Sequence, residues 1–484
     1  MKKSIAKNYI YNLIYQILTI LLPLITTPYL SRVLGAKPIG IYGYTISIVT
    51  YFILFGSLGV AMYGQREIAY KVGGKKEMTK SFWEIVIIRA FTLTLSILLF
   101  YIAYGRTGEY ALYYRILVVQ IVANIFDISW LFQGIEEFDK TVVRNLIVKA
   151  LSLVFIFGLI KNPGDLWKYF VIYVGAELLG NVTLWFYIPK YLEKISFNEL
   201  EFKKHLKPTL SLLIPQIAIQ IYTVLDKTVI GLITKNMEEV GFYEQAQKVV
   251  RAALVVVSAL QSVMNSRIAN AYVENNKKEV KECLEKSFNY VWMISIPMVF
   301  GLIAIAHKFV PWFYGDGFDR VTPILIANTP ILIAIGLSGI TGIQYLVQIG
   351  KQKIFTISVA VGAIVNLLLN MVLIIFFGGV GAAIASVVAE TIIFLIQLKY
   401  FKEQFSIYEI FKLSIKCLIS GVVMFGVVIL VTRLLDVSIW NTLIEIILGG
   451  FIYVLMLALL KHEFFYDIVN QVLDGLKMKL KGKN

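Results

Sequence analysis

The chain has 484 residues, 58% of them hydrophobic and 16% charged, and a mean hydropathy of +0.75. Ordinary soluble domains are roughly 45–50% apolar and 25% charged, so a water-soluble globule, a disordered chain and a fibrous protein are excluded. The formal charge of +15 fits the Lys/Arg bias of membrane loops better than a nucleic-acid partner, and none is expected.

Met1-Lys2-Lys3 precede an apolar stretch from about Tyr9 that is too long for a signal segment and has no small-residue cleavage site; it reads as an uncleaved first helix. Apolar runs between charged or Gly/Pro-rich breaks predict helices over 10–34, 39–62, 82–104, 111–133, 142–160 and 167–188. A polar segment from Pro189 to Pro208 follows, then runs over 209–233, 241–263, 288–310, 321–348, 354–377 and 381–401. Two more, 413–435 and 439–461, lead into a basic amphipathic tail ending Lys477, Lys479, Lys481 and Lys483. The expected fold is an all-α polytopic membrane protein of about 14 spans, each needing about 20 apolar residues. Residues 1–208 form a first six-helix lobe, 209–402 a second, and 403–484 two extra helices and the tail, with a central cavity between the lobes.

Lys and Arg crowd alternate loops, most densely Arg66 to Lys80, Lys190 to Lys207 and Arg267 to Lys286. By the positive-inside rule these loops and both termini lie in the cytoplasm. Cys283 and Cys417 lack metal-ligand spacing, and neither a disulfide nor a metal site is expected. The halves echo each other: Pro23 is followed by Ile39-Gly40-Ile41-Tyr42, and Pro215 by Val240-Gly241-Phe242-Tyr243. Such matched, interrupted segments are the trace of internally repeated transporters.

Polar residues recur at helical spacing within several spans. Glu244, Lys248, Arg251, Ser258 and Ser262 share one face of the eighth, and Gln216, Gln220, Thr223 and Lys227 one face of the seventh. The first offers Asn12, Gln16, Thr19 and Thr26, and the fourth Gln120, Asn124 and Asp127. Unpaired polar groups in hydrocarbon cost several kcal/mol each, so these stripes either bond between helices or line a hydrated cavity. Candidate cations within the spans are Arg89, Lys149, Lys227, Lys248 and Arg251, with Arg32 and Arg115 shallower; candidate carboxylates are Asp127, Glu177, Asp226, Glu244, Glu390 and Glu445. Glu244 with Lys248 suits an i,i+4 pair and Asp226 adjoins Lys227, while Arg89 and Lys149 have no acid nearby in sequence. An excess of cations would bind an anionic head group. The histidines, His205, His307 and His462, fall near span ends or in loops, which leaves Asp127, Asp226 and Glu390 as the candidates for ion coupling.

No Walker A loop, dinucleotide fingerprint, H-E-x-x-H motif or Cys/His cluster occurs in the sequence. No catalytic constellation and no cofactor is therefore expected, and no soluble stretch could hold an ATPase.

Residues Pro23 to Ala69 carry Thr26-Thr27-Pro28-Tyr29, Ser31-Arg32-Val33-Leu34-Gly35 and Tyr63-Gly64-Gln65-Arg66-Glu67-Ile68-Ala69. Leu225-Asp226-Lys227, Ile230-Gly231 and Ala246-Gln247-Lys248 follow further on. These motifs resemble bacterial polysaccharide repeat-unit flippases, the Wzx-type branch of the multidrug/oligosaccharidyl-lipid/polysaccharide exporter superfamily. The resemblance implies two six-helix lobes around a central cavity and transport of undecaprenyl-pyrophosphate-linked oligosaccharide between leaflets by alternating access. It also implies a bacterial inner membrane, with a polysaccharide polymerase and a chain-length regulator as partners. Arg32, Arg89, Lys149, Lys227, Lys248, Arg251, Gln216 and Gln220 are the expected substrate-binding residues. The alternatives are a peptidoglycan-precursor flippase, a cation-coupled multidrug exporter, which would want an acidic cavity, and a membrane glycosyltransferase or polymerase.

Overall fold

The computed structural model describes residues 22–401 and 405–481, which are helical nearly throughout and contain no strand. Helix α1 covers residues 22–34. It is followed by α2 (Ala36–Ser57), α3 (Val60–Lys71), α4 (Lys75–Phe100), α5 (Ala111–Ile125), α6 (Ser129–Gly134), α7 (Phe138–Leu159), α8 (Leu166–Trp185), α9 (Ile188–Tyr191) and α10 (Lys203–Thr234). Then come α11 (Met237–Val257), α12 (Gln261–Val273), α13 (Lys277–Tyr314), α14 (Val321–Asn328), α15 (Ile331–Gly339), α16 (Gln352–Phe377) and α17 (Gly379–Lys399). The last four are α18 (Ile407–Lys412), α19 (Ile415–Leu434), α20 (Ile439–Leu459) and α21 (Glu463–Lys481). The chain divides into two compact units, Met1–Glu244 and Gln245–Asn484.

Among the described residues, eleven helical segments are long and apolar enough to cross a membrane. Helices also occupy the expected seventh and eighth spans, as α10 and α11, while most of the expected first span lies outside the described residues. Two expectations change. Helix α11 stops at Val257 and α12 starts at Gln261, so Ser258 and Ser262 do not continue the α11 face. The β-branched run Val255–Val257 followed by Ser258 is a weak helix former, which suits a break there. The stretch Arg267 to Lys286 is not a loop either, because α12 and α13 leave only residues 274–276 between them. The polar start of α13 thus prolongs a membrane-length helix beyond its apolar part.

Within the first unit, backbone breaks and close glycine packing set the geometry. Gly35, at φ 81°, separates α1 from α2, and Leu58 and Gly59, at φ 48° and 79°, separate α2 from α3. A Cβ on Gly64 of α3 would lie 2.5 Å from the ring of Trp130 on α6. The motif from Tyr63 to Ala69 is therefore the wall of a core that also holds Phe82, Ile85, Leu131 and Phe132.

The tightest approach joins α2 to α11. A Cβ on Gly40 would sit 1.6 Å from the carbonyl oxygen of Met237, and one on Gly241 would sit 2.2 Å from that of Ala36. Ala36 and Met237 each stand four residues before their own glycine, so each glycine receives the backbone one turn upstream of the other. This reciprocal contact has the form of a local two-fold relation. It gives the sequence echo of Ile39-Gly40-Ile41-Tyr42 and Val240-Gly241-Phe242-Tyr243 a spatial meaning.

In the second unit α16 and α17 form an antiparallel hairpin turning at Gly378, and the small face of α17, with Ala382, Ala385 and Ala389, is buried. Several polar side chains within or packed against the hairpin bond to one another. Thr341 Oγ1 donates to Gln397 Oε1 at 2.7 Å, Gln397 Nε2 to Ser358 Oγ at 3.0 Å, and Asn366 Nδ2 to Ser386 Oγ at 3.2 Å.

Gly40→Ala or Gly241→Ala should lower the thermal stability of the detergent-purified protein, since forcing extra atoms into packed helices costs about 1–3 kcal/mol. Gly301→Ala, with open space around its Cβ position, should leave the melting temperature unchanged or raise it. Equal melting of all three proteins would refute the tight crossing.

Candidate functional site

Asp226, Lys227 and Thr228 are consecutive on α10, so their side chains fan over more than half the helix circumference. All three are buried, which is tolerable in a span only if each finds a partner. Tyr243 of α11 donates its hydroxyl to Asp226 Oδ2. Lys227 Nζ lies 2.9 Å from Glu244 Oε2, with the two side chains 8% and 14% exposed. Thr228 Oγ1 is 2.7 Å from Ser47 Oγ and 3.1 Å from the hydroxyl of Tyr51, both on α2. Gly43 on α2 packs beside the ion pair: a Cβ there would be in ordinary contact, 3.6 Å from Glu244 Oε2 and 3.7 Å from Lys227 Cδ. The α2–α11 crossing thus sits one turn from a charged cluster that it helps to hold.

A second polar cluster joins α4, α5, α6 and α8. Arg89 is 3% exposed; its Nη1 donates to the Asp127 carbonyl at 2.7 Å and its Nη2 lies 3.4 Å from Asp127 Oδ2. Asp127 Oδ1 in turn accepts from the amide of Ser129 at 3.0 Å, satisfying the first turn of α6. Asn124 Nδ2 donates to Glu177 Oε1 at 3.3 Å. Tyr42 packs against Tyr169, Phe170 and Tyr173 with ring centroids 4.7, 5.3 and 5.6 Å away.

The remaining expected residues are more scattered. Arg32 is exposed on α1, Lys149 half-buried on α7 and Gln216 half-buried on α10; the side chain of Gln220 lies outside the described residues, as do Asn12, Gln16 and Thr19. Lys248 is half-buried and Arg251 exposed on α11, beyond the boundary between the two units. Arg251 Nη2 donates to Gln247 Oε1 at 3.0 Å. In the second unit, Glu390 accepts from Ser338 Oγ at 3.2 Å. Contacts between helices join the pairings that the spacing suggested: Glu244 reaches across to Lys227, and Asp226 accepts from Tyr243. Arg89 finds its acid in the break between α5 and α6.

Sequence reasoning missed one buried network. Glu84 Oε2 lies 2.7 Å from His205 Nε2, and His205 Nδ1 lies 2.6 Å from the Tyr63 hydroxyl. Lys204 Nζ pairs with Glu84 at 3.0 Å and the amide of Glu201 donates to it at 2.6 Å. The signal was present, since Glu84 is a lone acid inside an apolar run. Its role is anchorage: it fixes the chain entering α10 to α4.

Solved structures define the class of fold. The chain superposes on a lipid II flippase MurJ in an inward closed conformation with a TM-score of 0.69 at 19% identity, covering 96% of this chain and 100% of that one. It also superposes on an inward-facing multidrug resistance MATE family transporter of the MOP superfamily with a TM-score of 0.64 at 16% identity, over 84% and 98%. The fold is the polytopic helical one of those structures. Within that class the chain belongs to the polysaccharide biosynthesis protein family, whose model matches residues 5–269. The model of the lipid II flippase MurJ family matches the overlapping residues 170–449. A protein of Escherichia coli (strain K12) named "Putative O-antigen transporter" is 24% identical over 397 residues, 81% of this chain and 95% of its own length.

Lys227→Met or Glu244→Leu alone should strongly destabilise the purified protein, because stranding one member of a buried pair costs about 3–5 kcal/mol. The double variant should recover most of the lost melting temperature. Additive losses in the double variant would show that the two side chains do not act as a pair.

Proposed function

We propose that the protein is a flippase that carries undecaprenyl-pyrophosphate-linked oligosaccharide units from the inner to the outer leaflet of a bacterial inner membrane by alternating access. The product would feed O-antigen, capsule or exopolysaccharide assembly, with a polysaccharide polymerase and a chain-length regulator as partners. It acts as a transporter and not as an enzyme. Both termini lie in the cytoplasm. The moving lobes are residues 1–208 and 209–402, and 403–484 are accessory.

The observation that carries this reading is the Lys227 cluster, a charged group built into the interior of a chain whose family is polysaccharide biosynthesis. An ammonium held by one carboxylate can exchange that carboxylate for a phosphate oxygen, since both are oxyanions. Glu244 would thus hold Lys227 until a pyrophosphate displaces it. On α11, Lys248 and Arg251 follow Glu244 at i+4 and i+7 and extend the same face. They are the next groups expected to meet the head group, with Arg32, Arg89, Lys149, Gln216 and Gln220 behind them. Arg89 is bound to Asp127, so its part is to hold that helix junction in register unless Asp127 is protonated. Asp127, Asp226 and Glu390 are the carboxylates available for ion coupling. Tyr42, Tyr169 and Tyr173 offer ring faces to sugars.

The MurJ matches favour a second reading, a peptidoglycan-precursor flippase. Both substrates present a pyrophosphate, so the cationic residues do not separate them. Complementation does. The gene should restore surface polysaccharide to a strain lacking its repeat-unit flippase and should not rescue loss of the peptidoglycan-precursor flippase. Lys248→Gln or Arg251→Gln should abolish that restoration at unchanged membrane levels of the protein; full restoration by both variants would remove them from the site.

A further inference from the structure

The second unit contains a cavity that the proposed transport reaction does not use. It measures about 800 Å3 and lies between the end of α12, the start of α13 and the turn that leads into α16. Volumes of about 300–1,000 Å3 are those of small-ligand sites. Four lysines line it: Lys277, Lys278 and Lys281 from the first two turns of α13, and Lys351 from the turn before α16. Two acids line it as well, Glu282 and Glu285, so its wall keeps an excess of positive charge.

The lysines are not equivalent. Lys278 reaches Glu282 at 4.0 Å, and Lys281 reaches Glu409 at 4.0 Å while lying 5.0 Å over the ring of Phe405. Among the described residues, neither Lys277 nor Lys351 has a carboxylate within ion-pair distance. These two cations come from turns more than seventy positions apart in sequence, and the fold places them on one cavity. Both turns are on the lysine-rich side that the positive-inside rule assigns to the cytoplasm. The apolar part of the wall comes from Val280, Tyr345 and Ile349, with Tyr272 half-exposed beside them. A cationic rim over an apolar and aromatic floor at a helix end is suited to a phosphate attached to something less polar.

We propose that this cavity binds a phosphate-bearing ligand at the cytoplasmic face, with Lys277 and Lys351 as its principal contacts. The group is either the headgroup of an anionic phospholipid or a free phosphate. The site is separate from the Lys227 cluster and does not depend on the flippase reading.

The test uses the purified full-length protein in detergent and reads its melting temperature with added phosphatidylglycerol, phosphatidylcholine, or inorganic phosphate against chloride at matched ionic strength. Phosphatidylglycerol should raise the melting temperature and phosphatidylcholine should not. The double variant Lys277→Gln/Lys351→Gln should melt normally without additive and lose most of the increment. A second double variant, Lys194→Gln/Lys203→Gln, removes the same charge elsewhere and should keep it. An increment with phosphatidylglycerol alone assigns the site to a lipid headgroup; one with inorganic phosphate as well shows that the phosphate group suffices. Equal increments in the wild type and the Lys277/Lys351 variant, or no increment with either probe, would overturn the proposal.

Discussion

A charged side chain cannot remain in hydrocarbon without a partner, and this constraint governs how the first unit is put together. Lys227 is met by Glu244, Arg89 by Asp127, and Asp226 by Tyr243. In each case the partner comes from a different helix or the segment beyond it, so neutralising the charge also fixes a helix–helix register. The desolvation of such pairs roughly cancels their attraction, so they add little net stability. What they provide is a definite geometry.

Packing makes this geometry attainable. Without a strong hydrophobic drive between membrane helices, association depends on close van der Waals contact and small residues at the crossings. The reciprocal Gly40–Gly241 contact brings α2 and α11 together at backbone distance. One turn further on, Gly43 packs beside the Lys227–Glu244 pair, and Ser47 reaches Thr228. A crossing of small residues therefore places a polar cluster in an otherwise apolar setting.

The membrane class and most spans were legible in the sequence because repeated runs of about 20 apolar residues match the thickness of a bilayer core and suit little else. The helix breaks were less so. The end of α11 at Val257 and the extension of α13 back to Lys277 reflect local propensity and an amphipathic segment leaving the bilayer, neither of which changes hydropathy sharply. The site was legible as an inventory but not as a wiring. Lys227, Glu244, Arg89 and Asp127 stood out as charges within apolar runs, but their pairing across helices did not, because contacts between helices leave no periodic trace. Glu84, His205 and Tyr63 escaped for the same reason: their partners are separated by more than a hundred positions. The echo around Gly40 and Gly241 was faint as sequence and became meaningful only as a contact.

Family and fold converge on movement of a lipid-linked saccharide, and the proposal adds a pyrophosphate head that crosses while its lipid stays in the bilayer. The most direct measurement places the purified protein in liposomes with a fluorescent polyprenyl-pyrophosphate oligosaccharide and follows its accessibility to a membrane-impermeant quencher. Transfer between leaflets that requires the protein, is slowed when Lys227 is changed and leaves the sugar linkages intact is the predicted result. Transfer no faster than in protein-free liposomes, with the imposed ion gradients of either sign, would contradict it.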